Sequence, residues 1–177
     1  ADILIIDSHS ADRDFWQSAK GIYAGTMCCR EKGTMILVSP NPEGVASNHP
    51  NLMRIGYKPH AELVKMAHEG KVDDFVGFAI LADTCQIIDH HDCIMVSPGV
   101  KKTEAEKIGF RYARDATEAL KMAFEKQGEH ARVAVVRYGG HVLPVVGTEN
   151  LRGSSHGPRP GEARKAEGRT RRPDHQG

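Results

Sequence analysis

Long apolar stretches are missing from this 177-residue sequence, and no uninterrupted run approaches the about 18 residues of a membrane-spanning helix. Membrane-embedded, collagen-like and wholly disordered classes are excluded, since 40% of residues are apolar and 27% charged, as in ordinary globular chains. None of the four cysteines, Cys28, Cys29, Cys85 and Cys93, forms a C-x-x-C pair. No leader of basic, apolar and small residues opens the chain, so a reducing, cytoplasmic setting with buried free thiols is expected. Neither G-x-G-x-x-G nor G-x-x-x-x-G-K-[ST] occurs, so the two commonest backbone cradles for nucleotide phosphate are absent. Large charge of one sign is also lacking, the formal net charge being +1.

That near-neutrality is an average of two unlike parts. Residues 152–177 carry 7 Lys and Arg against 3 Asp and Glu, while residues 1–151 carry 17 against 20. From Arg152 onward there is no Val, Ile, Leu, Met, Phe, Trp, Tyr or Cys, so that end cannot bury enough surface to offset its ordering entropy. We therefore expect one α/β domain over residues 1–150 and a disordered basic tail over 151–177. With no aromatic residue to stack on bases and no helical periodicity, the tail does not point to nucleic acid as a partner.

Four short runs, Ile3–Ile6, Met35–Val38, Ile94–Val96 and Val133–Val136, are rich in branched residues and too short for helices. Their continuous apolarity predicts strands buried on both faces, as in parallel sheets. Helical spacing is expected between them, over about Asp12–Cys28 with Ser10 or Asp12 as N-cap, over His60–Glu69, and over Asp74–His90. Shorter helices follow at Lys102–Ile108 and Asp115–Gln127, the latter capped by Asp115 and ended by Gly128. Alternating strand and helix predicts an open, mostly parallel, Rossmann-like sheet of about four or five strands flanked by helices. Val142–Val146, interrupted by Pro144, is a candidate edge strand or closing arm.

Gly153-Ser-Ser-His-Gly157 matches G-x-S-x-G, yet it lies in the tail without the strand and helix that a nucleophile elbow requires. Asp89-His-His-Asp-Cys93 is the densest set of metal-ligand types. Consecutive side chains diverge, however, and imidazoles at a helix C-terminus are already favoured by its dipole. A metalloprotein built on this cluster is a weaker reading. In an open parallel sheet, ligands bind beyond the carboxyl ends of the strands, which draws attention to His9 and to the helix after the first strand. There Arg13, Gln17, Lys20 and Ala24 share one stripe, and Phe15, Ala19, Ile22 and Tyr23 another. Lys20 offers an ammonium for a carboxylate, and Gln17 an amide for a neighbouring oxygen, a pairing suited to a small hydroxy or keto acid. An ordinary solvated helix face has the same pattern. Trp16, the single tryptophan, also fits simple packing at an element boundary.

The stretch Asp12-Arg-Asp-Phe-Trp-Gln-Ser-Ala-Lys20, followed by Ala24, resembles the Asp/aromatic-Gln-x-x-Lys helix in the C-terminal domain of the nickel-dependent lactate racemase family. Thr34–Ser39 with Glu43-Gly44, Phe78–Ala82, Ile94–Ser97, Asp115–Leu120 and Val133–Val136 before Gly139 and Pro144 follow in the family's order. The resemblance implies one domain of a two-domain enzyme that interconverts enantiomers of a 2-hydroxy acid. It implies a nickel pincer nucleotide, tethered to an N-terminal domain absent here, that takes hydride from the substrate Cα and returns it. Gln17 and Lys20 would bind substrate oxygens, Trp16 would stand where the family has an aromatic residue, and Phe75 would stand near a position where lactate racemase has tryptophan. Without its N-terminal partner domain, the chain is expected to be inactive. The competing expectation is a stand-alone, non-catalytic α/β module that binds a small anion or a partner protein.

Overall fold

The computed structural model describes residues 1–145 and Gly147. In chain order these form β1 (Ile3–Asp7), α1 (Phe15–Gly25), β2 (Thr34–Val38), α2 (Asn51–Ile55), α3 (His60–His68) and α4 (Phe75–His90). They continue as β3 (Asp92–Val96), α5 (Lys102–Lys107), β4 (Arg111–Ala113), α6 (Ala116–Gln127) and β5 (Val133–Val136). The strands make a single five-stranded sheet in the order β4-β3-β2-β1-β5, and every pairing is parallel. The expected mostly parallel α/β sheet is thus wholly parallel. The basic end from Arg152 lies outside the described residues.

Side chains alternate across the pleat, and the two faces acquire different cores. Leu4, Ile6, Met35, Leu37, Cys93 and Met95 pack with helices α1 to α5 on one face. Ile3, Ile36, Ile94 and Val96 meet Ala119 and Ala123 of α6 on the other. Because α6 presents alanines, its backbone can lie close to the sheet.

β5 departs from the expectation of burial on both faces. It is an edge strand paired only with β1, and its α6-side residues Val133 and Val135 are exposed, Val135 by 65%. Val142–Val145 form no strand, because Pro144 has no N–H for a ladder and His141 N–H closes a turn on the Tyr138 carbonyl. α2 and β4 were not expected. Each is at most five residues long, too short to show a period.

At the carboxyl edge the loops leaving β1, β2 and β3 are tied by a buried polar chain. Ser8 Oγ donates to Ser39 Oγ (2.7 Å), Ser39 Oγ to Asn41 Oδ1 (2.7 Å), and Asn41 Nδ2 to Ser97 Oγ (3.3 Å). Buried and mutually satisfied, these groups hold the loops in one arrangement. Gly99 is bare because a Cβ there would collide with the Asn41 carbonyl oxygen.

Candidate functional site

α1 follows β1, and its first turn lies at the carboxyl edge. Asp14 caps it by accepting from Gln17 N–H at 2.8 Å. The expected caps are otherwise engaged: Asp12 Oδ2 pairs with His9 Nδ1 at 3.0 Å, and Ser10 Oγ with His141 Nε2 at 3.0 Å. The loop after β2 closes the remaining donors, since Phe15 N–H donates to the Gly44 carbonyl and Trp16 N–H to that of Val45, both at 3.0 Å. With those amides occupied, the first turn of α1 has no free N–H to offer an anion.

Three of the four expected site residues come together on α1. Lys20 Nζ donates to Gln17 Oε1 at 2.6 Å and stands 6.0 Å from the Trp16 ring centroid. Lys20 is exposed and Gln17 and Trp16 are partly so. Arg13, expected on the same stripe, pairs with Glu43 at 3.1 Å, and Ala24 is buried in the core instead. Phe75, the first residue of α4, is 61% exposed and joins this face only through intermediaries.

Those intermediaries are His49 and Asp74. The His49 ring stacks on Trp16 with centroids 4.6 Å apart and planes 25° from parallel, and its Nδ1 lies 3.1 Å from Asp74 Oδ2. Asp74 also caps α4, accepting from Gly77 N–H at 3.0 Å. That backbone bond, followed by His49, holds the Asp74 carboxyl below its usual range. Gly77 must lack a side chain here, since a Cβ would sit 2.7 Å from His49 Cβ and collide with Asp74 Oδ2. Nothing in the sequence marks His49: it sits in a loop with no period, and its partners are 33 positions upstream and 25 downstream.

The Asp89–Cys93 cluster is dispersed by the fold. Asp89 accepts from Tyr57 Oη and His60 N–H, His90 pairs with Glu31, and Asp92 binds Arg111, Lys126 and Thr34. Cys93 points into the core, where burial pushes its thiol up, as it does for Cys29 and Cys85 to about 11. Among the described residues no group of three His, Cys, Asp or Glu could hold a metal ion. Two open cavities, of about 560 and 400 Å³, share His90 and His91 at the opposite, amino edge of the sheet, away from Lys20. No helix among the described residues is long and apolar enough to cross a membrane.

A family model described as the lactate racemase C-terminal domain matches residues 1–144. Among solved structures, the lactate racemase apoprotein from Thermoanaerobacterium thermosaccharolyticum superposes with a TM-score of 0.66 at 24% identity. That match covers 82% of this chain and 35% of the other, so the chain spans about a third of the length of that relative. No curated protein sequence matches.

Proposed function

We propose, because this chain belongs to the lactate racemase C-terminal domain family, that it is the substrate-contacting domain of a two-domain racemase acting on lactate or a related 2-hydroxy acid. The observation that carries the reading is the Lys20–Gln17 pair, held at 2.6 Å on an exposed helix face beside an indole. Gln17 spends its carbonyl oxygen on Lys20, which leaves its amide N–H groups to donate outward next to the ammonium. A carboxylate on Lys20 and an adjacent substrate oxygen on the Gln17 amide satisfy both groups at once. Trp16 supplies an apolar wall, and Phe75 a second one at the head of α4.

The family implies a nickel pincer nucleotide. Among the described residues no three His, Cys, Asp or Glu side chains converge as metal ligands, and burial keeps the core thiols protonated at neutral pH. In this reading the cofactor, with its hydride chemistry, belongs to the companion N-terminal domain. The residues here bind and orient substrate. Preorganised charge in a site closed against water is worth far more than the same contact in solvent.

The test joins this domain to its natural N-terminal half, loads the cofactor and follows racemisation of lactate and related acids. Lys20→Ala should lower kcat/KM by about 10- to 100-fold, the value of a charge-assisted hydrogen bond, with a smaller loss for Gln17→Ala. Unchanged kcat/KM in both variants rejects the site.

A further inference from the structure

The indole of Trp16 has no polar tether. Its Nε1 is buried with no hydrogen-bond partner among the described residues, so no directional bond sets how the ring is turned. What contacts its face is His49, stacked at 4.6 Å, and His49 is in turn held by Asp74 at 3.1 Å. The bare Gly77 backbone lets the imidazole enter, because a Cβ there would lie 2.7 Å from His49 Cβ. Lys20 Nζ stands over the same indole at 6.0 Å, within the reach of a cation–π contact. A continuous chain of contacts therefore runs from the α4 cap through His49 and Trp16 to Lys20.

We propose that His49 is a positioning residue that sets the Trp16 indole, and through it Lys20, against the N-terminus of α4, coupling the two walls of the substrate site. The coupling has a physical basis in what each group lacks. Trp16 has no side-chain hydrogen bond among the described residues, Lys20 is tied to Gln17 of its own helix, and Phe75 at the head of α4 is exposed. The imidazole touches both α1, through Trp16, and the α4 cap, through Asp74. A displacement of the α4 terminus moves Phe75 directly and moves Trp16 through the stack, so one histidine keeps both apolar walls and the ammonium in register. The inference rests on the substrate-binding reading of Lys20 and Gln17. His49 touches no reacting atom in it.

Two readouts test the proposal, and the first needs only this chain. Trp16 is the single tryptophan, so its emission reports on this stack alone. His49→Ala strips the stacked ring from one face of the indole, so the Trp16 emission maximum should shift and quenching by acrylamide should rise. His49→Phe keeps a ring on the indole and should hold the emission near that of the unaltered chain, with His49→Gln as the ring-removing substitute if the alanine variant does not fold. Unchanged emission and quenching on removal of the ring overturn the proposal.

The second readout is the reassembled, cofactor-loaded enzyme. His49→Ala should raise KM for the 2-hydroxy acid by about three- to tenfold, the worth of one stacked aromatic pair, with kcat little changed. His49→Phe should recover most of that loss. An unchanged KM in His49→Ala, while Lys20→Ala raises it, overturns the positioning role alone. If Lys20→Ala is also silent, the substrate-binding reading has failed, and Trp16 emission still decides whether His49 sets Trp16.

Discussion

Lys20 and Gln17 lie three positions apart, which on a helix places side chains on one face, and this is why the pair is legible from spacing alone. His49 is not legible in that way, since its contacts come from a loop folding over α1 and from a cap on α4. Local rules that read period and neighbour cannot see it. Other residues are tied across equally long separations. Asp2 accepts from Arg132 N–H and from Arg30, which holds its carboxyl down at about 2. A carboxyl lowered by folding stabilises the folded state above the ordinary carboxylate range, and that contribution disappears as pH falls from about 4 to about 2. Asp2→Asn should therefore lower the urea midpoint at about pH 7 and leave a shallower loss between about pH 4 and pH 2. An unaltered acid limb would show that the ion pairs do not form in solution.

At the scale of elements, the strong signals survived and the short ones did not. β1, β2, β3 and β5, with α1, α3, α4, α5 and α6, follow from branched runs and helical spacing. The expected Asp115 and Gly128 ends of α6 are both present. The three-residue β4 forms because β3 offers it a parallel neighbour, a tertiary cause with no local trace. The start of α1 moved from Ser10 or Asp12 to Asp14 because those earlier side chains found His141 and His9. Caps also separate stability from site geometry. Asp74→Ala should cost about 1 kcal/mol by urea denaturation, as loss of a side-chain N-cap does, and should also shift Trp16 emission. Asp115→Ala should lower stability and leave that emission unchanged, because Asp115 caps α6, which packs on the opposite face of the sheet from α1 and α4. Equal emission shifts in the two variants would mean that Trp16 senses general loosening rather than the α4 cap.

For the whole molecule, the wholly parallel sheet places the loops after β1, β2 and β3 on one edge, and the buried Ser8–Ser39–Asn41–Ser97 chain locks them there. Parallel pairing was readable in the apolar runs, whereas the order β4-β3-β2-β1-β5 was not, because register and order come from contacts far apart in sequence. The exposed face of β5 has the same origin: a run of valines reads as buried wherever it stands, and only the topology puts it at an edge. Neither cavity at the amino edge is lined by Lys20 or Gln17, and the Lys20 side chain stands exposed on α1. The chain spans about a third of its solved relative, which bears directly on the central claim that it is the substrate-contacting part of a two-part enzyme. The most direct test compares racemisation of L-lactate by this chain alone, by the cofactor-loaded companion half alone, and by the two joined. Turnover only in the joined protein is the predicted result, and equal turnover by the companion half alone would contradict the account.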